Sequence, residues 1–220
     1  MLKGIRTLSV QLALFISSGS IRADELSSAV RNRMNIGEFE PMIIPEMAGM
    51  PDEFPRLQIN TSEGYRLAMS KSRIDLFLAL PLGIDDGDIC SFILSCQSLM
   101  SILSEKKIVF SRVGFVRLFF IAQAKADFLI DELMKVSSDD ICEVTISLTK
   151  KVICANKQSN NIFIFSTGQN DFGESGVAFN RDINTDLSDS SSLDDKEVID
   201  YVLEASALTE LGSLKDFIKV

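Results

Sequence analysis

The chain has 220 residues, of which 46% are hydrophobic and 24% charged, and its formal net charge is -9. These values are typical of a folded protein that builds a core without metals or disulfides, and they exclude extensive disorder. The excess of acid argues against direct binding to nucleic-acid phosphates. Histidine is absent, so the commonest general base and metal ligand are missing.

The cysteines show neither the paired spacing of a zinc site nor that of a redox dithiol. There are four of them, Cys90, Cys96, Cys142 and Cys154. We predict that all four are buried thiols in a reducing compartment. No metal and no cofactor is expected.

The first predicted element is a strand within residues 1–22, because polar and apolar residues alternate there. Its apolar positions are Leu8, Val10, Leu12, Leu14 and Ile16. Lys3 and Arg6 before an apolar run, followed by small residues near Gly19, also suggest a secretory signal, but a signal has no reason to alternate. The stretch is too short and too polar to span a membrane. We therefore expect a cytoplasmic protein.

A short helix is predicted over about 23–34, and an irregular connection follows. Residues 36–55 contain four of the five prolines, which disfavours regular structure beyond a brief strand at 42–44. The same stretch holds Met42, Met47 and Met50. Methionines in such a loop either fill space beneath it or form an adaptable binding surface, and both interpretations remain open.

Residues 55–80 form the clearest pattern in the chain, three short runs with alternating polar and apolar residues. They predict an antiparallel meander. Pro81 and Gly83 are expected to end it, and Asp85, Asp86 and Asp88 to start an amphipathic helix over about 87–105.

A similar order then recurs. A strand is predicted over 107–122 with a bulge at Gly114, followed by a helix over 124–135. A second meander is predicted over 141–183 with a polar turn at 156–161. A helix over about 194–211 follows it and completes the second half. The predicted fold is therefore α+β, with two tandem β-α-β(3–4)-α halves, 1–106 and 107–220. We expect the halves to share one antiparallel sheet, with the long helices on one face, and to reflect an internal duplication.

This order of elements resembles the saddle architecture of the TATA-binding protein and is related to helix-grip folds. Four local phrases, Pro55-Arg56-Leu57, Ser62-Glu63-Gly64, Ser111-Arg112-Val113-Gly114 and Asp182-Ile183-Asn184-Thr185, are similar to a sporadically distributed family of uncharacterised bacterial proteins. The resemblance implies a bacterial or phage protein and no particular activity.

Two acidic segments suggest chemistry. The oxygens of residues 182–188 alternate like the start of a calcium loop, but Leu187 stands where glycine is needed and Leu193 where the final glutamate belongs. We expect a solvated loop there. Asp85, Asp86 and Asp88 suit a helix N-terminus, while acid–base catalysis or Mg²⁺ binding is the alternative.

Arginines within strands are the remaining candidates for a site. Arg56, Arg66 and Arg73 are predicted to line one exposed face of the first meander, either paired with Glu63 or Asp75 or bound to an acidic partner. Five positions separate Arg112 from Arg117, which predicts opposite faces unless the bulge restores the register.

The sequence thus predicts a non-enzymatic interaction module that binds a protein through the open sheet face or the Met-rich loop. The predicted binding residues are Arg56, Arg66, Arg73, Met42, Met47 and Met50. One alternative is an acidic nucleic-acid mimic or a factor that engages nucleic-acid machinery. Another is a small-molecule pocket or carboxylate-based enzyme in a helix-grip-like cavity. Homo-oligomerisation is left open.

Overall fold

A computed structural model describes residues 5–122, 143–169, 173–186 and 192–210. Within these ranges the protein is α+β, with three helices and one large antiparallel sheet. The elements are β1 (Ile5–Ser18), α1 (Ala23–Arg33), β2 (Met42–Ile43), β3 (Leu57–Asn60), β4 (Tyr65–Met69), β5 (Arg73–Ile84), α2 (Asp86–Glu105), β6 (Val109–Ala122), β7 (Thr145–Cys154), β8 (Lys157–Gln169), β9 (Ser175–Thr185) and α3 (Asp195–Leu208).

The nine described strands form a single sheet in the order β2-β3-β4-β5-β1-β6-β9-β8-β7. β1 and β6 pair at its centre, with Leu12 opposite Phe115 and Ala13 opposite Gly114. Outward from this pair, β5, β4 and β3 follow on one side and β9, β8 and β7 on the other. The sheet is therefore continuous across the two predicted halves, and their duplication remains a prediction.

The main core lies between the helices and one side of the sheet, which we call the helix face. Val10, Leu12 and Leu14 of β1 are fully buried there, as their alternation predicts. The ring of Phe92 on α2 lies 6.4 Å from that of Tyr65 and 6.2 Å from that of Phe115. These contacts fasten α2 across the middle of the sheet.

Helix α2 is also long and apolar enough to cross a membrane by length and composition alone. Its stripe of Phe92, Cys96, Leu99 and Leu103 is buried in the core. The composition of α2 is thus accounted for by its packing.

A second, smaller core lies on the same face towards β8. It consists of stacked phenylalanines, with the ring of Phe179 lying 5.6 Å from Phe119, 5.8 Å from Phe163 and 4.6 Å from Phe165. Offset stacking of this kind adds to the energy of burial.

The predicted acidic helix starts are confirmed for α2 and α3. Asp85 caps α2 in a reciprocal pair with Asp88, and Asp194 caps α3 in the same way with Glu197. In each pair, each side chain accepts a hydrogen bond from the backbone N–H of the other residue, and these N–H groups have no partner within the helix. Helix α1 differs, because its N-cap residue Arg22 makes no side-chain cap.

Three local predictions are wrong. Strand β5 does not end at residue 80 but continues through Pro81 to Ile84, still beside β1, where Thr7 pairs with Ile84. The polar turn at 156–161 is mostly strand, since β8 begins at Lys157 and the reversal uses only Ala155 and Asn156. The register passes through Gly114 without a bulge.

The cysteine prediction is confirmed in part. Cys96 and Cys154 are buried and Cys90 is exposed, because it lies on the solvent side of α2. Burial raises the pKa of Cys154 to about 12, so its thiol stays protonated. Cys142, the predicted helix at 124–135, Leu187 and the tail after Glu210 lie outside the described residues.

Candidate binding surface on the open sheet face

The side of the sheet opposite the helices carries a polar and aromatic row, and we call this side the open face. Phe15 of β1 pairs in register with Arg73 of β5 and with Arg112 of β6. The guanidinium carbons of Arg73 and Arg112 lie 4.8 and 5.0 Å from the centroid of the Phe15 ring. Each contact is a cation–π interaction that contributes about 0.5–1 kcal/mol when exposed.

Arg73 is also held by an ion pair. Its guanidinium donates to Asp75 Oδ1 at 2.7 and 3.0 Å, and Gln11 Nε2 donates to the same oxygen at 2.8 Å. The predicted pairing of Arg73 with Asp75 is therefore confirmed. This network fixes one side of the Phe15 stack before any ligand arrives.

Strand β9 supplies polar side chains on the other side of the stack. Asp182 and Asn184 lie two residues apart and so share the open face. Burial raises the pKa of Asp182, and the nearby Asn184 side-chain amide, then the positive charges of Arg112 and Arg73, oppose that shift. Asn184 is 2% exposed, and its Oδ1 accepts from Asn160 Nδ2 at 3.2 Å.

Two small residues, Ala13 and Gly114, form the middle of the open face. Asp75, Ala13, Gly114 and Asn184 follow one another across β5, β1, β6 and β9. A Cβ atom built on Gly114 would lie 3.4 Å from Asn184 Cβ and 3.7 Å from Asp182 Oδ1. The side chains of Asn184 and Asp182 therefore already lie at van der Waals distance from this position, and Phe15 and its arginines lie beside it.

Several buried polar atoms of β6 and β9 on the open face have no hydrogen-bond partner within the described ranges. They are Arg112 Nε, Asn180 Oδ1, Asp182 Oδ1 and Asn184 Nδ2. A buried donor or acceptor without a partner costs about 1–3 kcal/mol. We call Phe15, Arg73, Arg112, Asp182 and Asn184 the open-face cluster.

The predicted arginines divide between two places. Arg66 lies on the open face with Arg73 and is exposed, and its guanidinium carbon lies 5.0 Å from the centroid of the Phe77 ring. Arg56 is not on that exposed face, because it is 6% exposed and donates to the carbonyls of Phe54 and Pro51.

The Met-rich loop lies at the edge formed by β2. Met42 and Met47 are 58% and 64% exposed, and Met50 is partly buried. The predicted site residues therefore form two groups, Arg66 and Arg73 on the open face and the methionines with Arg56 at the β2 edge.

Arg117 lies on the helix face, opposite to Arg112, as the five-residue spacing predicts. It pairs directly with Arg181 of β9, and both side chains are 4% exposed. Arg117 donates to Ser206 Oγ, and Arg181 to Asn161 Oδ1, each at 3.3 Å. Burial, and then the charge of Arg117, lowers the pKa of Arg181 to about 10. This pair of like charges separates the two cores.

Sequence reasoning missed the roles of Phe15, Arg112 and Asn184. Their common face follows from alternation, but their proximity depends on β1 lying between β5 and β6. Asp182 to Thr185, interpreted as a solvated loop, belong to β9 and pair with both β6 and β8. The alternating oxygens there mark one face of a strand.

No group of three or more metal-ligating side chains is found in the ranges that the structure describes. A scan against protein-family models gives no match, and a search of curated proteins gives none either.

Proposed function

We propose that this protein is a non-enzymatic interaction module that binds an acidic segment of a partner protein on the open face. The observation that carries the proposal is the open-face cluster, an aromatic ring between two arginines beside buried polar atoms that have no described partner. Arginine and aromatic residues dominate the energetic centres of protein interfaces.

The local charge supports an acidic ligand. The chain as a whole carries -9. The central open-face strands instead present Arg66, Arg73 and Arg112 against Asp75 and Asp182, and the charge of Asp75 is already used by Arg73. Three arginines against two aspartates leave one surplus positive charge, which a carboxylate of the partner would complement, and electrostatic complementarity of this kind favours correct partners.

The orphan atoms support a polar contact. Arg112 Nε and Asn184 Nδ2 are donors, whereas Asp182 Oδ1 and Asn180 Oδ1 are acceptors. A polypeptide offers both kinds of group at regular intervals along its backbone. All four atoms are buried, so a partner reaches them, and recovers the cost of their burial, only if the side chains around them move.

The nucleic-acid alternatives fit less well. An acidic mimic needs a stripe of carboxylates, and the described open face carries more arginine than acid. Direct binding to nucleic acid through this face is opposed by the net charge of -9. A gel shift at low salt distinguishes it from binding to a protein.

Three finer statements belong to the same proposal. We place the protein in the cytoplasm of a bacterium or its phage, and we infer an internal duplication of residues 1–106 and 107–220. The strand order, which runs outward in the same sense from β1 and from β6, supports the duplication.

The test compares two charge-reversal variants, one on the open face and one on a helix on the other side of the sheet. Arg66→Glu alters an exposed cation on the open face, and Lys196→Glu alters an exposed cation on α3. Tagged wild type and both variants are purified from the native host, and copurifying proteins are quantified. Lys196→Glu is expected to shift the melting temperature by no more than about 2 °C, and Arg66→Glu, which loses the contact with Phe77, by no more than about 4 °C.

We expect a stoichiometric protein that copurifies with wild type and Lys196→Glu and is reduced at least about tenfold with Arg66→Glu. Equal recovery with both variants would place the interface elsewhere. Recovery of nucleic acid alone, or of the wild-type chain without a stoichiometric partner, would also overturn the proposal.

A further inference from the structure

A cavity of about 670 Å³ lies at the start of α2, where the first residues of β1 and the last residues of β5 meet β6 and the segment after α3. We call it the α2 cavity. Its apolar wall is formed by Ile5, Leu82, Ile84 and Ile89. Leu82 is 89% exposed, more than any other large hydrophobic side chain among the described residues. A cavity of this volume with an apolar wall is typical of small-molecule sites.

Arg117 of β6 brings a buried cation to the α2 cavity. It lines the cavity and is 4% exposed, and its Nη2 donates to Ser206 Oγ at 3.3 Å, which is a long bond. Its Nε is fully buried and has no partner among the described residues. Nη1 differs from both, because it makes no hydrogen bond to a described residue and yet is not fully buried. Nη1 is therefore the donor that Arg117 can offer to a ligand in the cavity.

Arg117 is not in contact with a carboxylate in the part of the chain that the structure describes. It forms no ion pair there, and its cross-strand neighbour is another arginine, Arg181. Burial lowers the pKa of Arg117, and the charges of Glu210 and then Asp86, which both line the cavity, oppose that shift from a longer distance. A charge removed from water needs a counter-charge in contact with it, so Arg117 favours a bound anion.

Asp86 brings the opposite charge to the same cavity. It is the first residue of α2, is exposed, and has no hydrogen-bond or ion-pair partner among the described residues. Asp85 and Asp88 differ from it, because they form the reciprocal cap of the helix. Arg6 at the rim is paired with Glu174. The cavity therefore holds one cation and one anion that lack a partner in contact and do not reach each other.

We propose that the α2 cavity binds a free aliphatic amino acid as its zwitterion. The carboxylate accepts from Arg117 Nη1, the ammonium group donates to Asp86, and the aliphatic side chain packs against Leu82, Ile84 and Ile89. A simple carboxylate would bring a second negative charge towards Asp86, whereas a zwitterion complements both charges at once. The site lies at the start of α2, so it is separate from the open-face cluster and does not depend on the function proposed for it.

The test uses L-leucine as probe and isothermal titration calorimetry as readout. Isocaproate has the same carbon skeleton without the ammonium group, and isoamylamine lacks the carboxylate. Asp86→Asn removes the carboxylate without a partner at an exposed position. Asp195→Asn is the matched control, because Asp195 is the first residue of α3 and does not line the cavity.

We expect saturable binding of leucine that is weakened at least about tenfold by Asp86→Asn and unchanged by Asp195→Asn, because one charge-assisted contact is lost. Isocaproate and isoamylamine should each bind at least about tenfold more weakly than leucine. The proposal would be overturned by no saturable binding of leucine, by equal binding of either analogue, by unchanged affinity in Asp86→Asn, or by an equal loss in both variants.

Arg117→Met tests the other contact, and it should also weaken leucine binding at least about tenfold. An apolar side chain in place of a buried charge is often tolerated by the fold. If this variant does not fold, nuclear magnetic resonance of the wild type follows the guanidinium signals of Arg117 and the methyl groups of Ile84 and Ile89. We expect these signals to shift together as leucine is added. Unchanged affinity in Arg117→Met, or shifts confined to other residues, would reject the site.

Discussion

Replacing Phe15 by leucine tests whether the stack on the open face stabilises the fold. Leucine keeps an apolar side chain but removes the ring that Arg73 and Arg112 face at 4.8 and 5.0 Å. Two exposed cation–π contacts contribute about 0.5–1 kcal/mol each, so the free energy of unfolding should fall by about 1–2 kcal/mol. For a chain of this length that corresponds to a fall in melting temperature of about 2–8 °C.

A double-mutant cycle isolates the contact. Urea unfolding is measured for Phe15→Leu, Arg112→Met and the double variant, and the coupling energy should be about 0.5–1 kcal/mol. Phe54→Leu, at a ring that is 43% exposed in the loop, serves as control and should change stability by less than about 0.5 kcal/mol. A coupling energy indistinguishable from zero would show that the stack contributes nothing.

Two further predictions concern the same sheet. Gly176→Ala should lower the free energy of unfolding in urea by about 1–3 kcal/mol, because the new Cβ would lie 2.4 Å from the Ile121 carbonyl oxygen. Its cross-strand partner Gly168 is the control, since a Cβ there meets no atom within 4 Å and Gly168→Ala should have a smaller effect. Equal effects of both changes would contradict the geometry. Asp182→Asn should raise the free energy of unfolding at about pH 7, since burial raises the folded pKa and makes the ionised form unfavourable. Wild type regains this stability as the pH falls through the raised folded pKa, so the difference should shrink towards about pH 4, and a difference independent of pH would rule out the carboxylate as its source.

Alternation in the sequence was enough to locate most elements. Val10, Leu12 and Leu14 predict both the existence of β1 and the face it buries, because a strand on a half-buried sheet has a period of two. Asp85 and Asp194 similarly predict where α2 and α3 begin, since acidic caps satisfy free backbone N–H groups. These features are local, and local chemistry decides them.

The misplaced boundaries have a common cause. Pro81 was expected to end β5, yet the strand continues past it to Ile84 beside β1. Asn160 and Asn161 are expected in a turn, yet they lie in β8 and pair with β7 and β9 on its two sides. In each case tertiary pairing outweighs the preference of the residue itself.

The candidate site was only half predictable for a different reason. The shared face of Arg66 and Arg73 follows from their own strands. Phe15 meets Arg73 and Arg112 only because β1 lies between β5 and β6, and neighbours in a sheet cannot be read from the order of strands along a chain. The burial of Arg56 depends in turn on how the loop after β2 folds over it, which no periodic pattern records.

The central position of β1 also sets the order in which the protein acquires structure. Gln11 of β1 bonds to Asp75 of β5, 64 positions later, and Ser111 of β6 bonds to Phe15, 96 positions away. During synthesis β1 leaves the ribosome before either neighbour, with both of its hydrogen-bonding edges unpaired. Both edges of β1 are paired only after the chain has been synthesised through β6. Folding therefore depends on contacts between residues far apart in the sequence, and its rate should be low for a protein of this size.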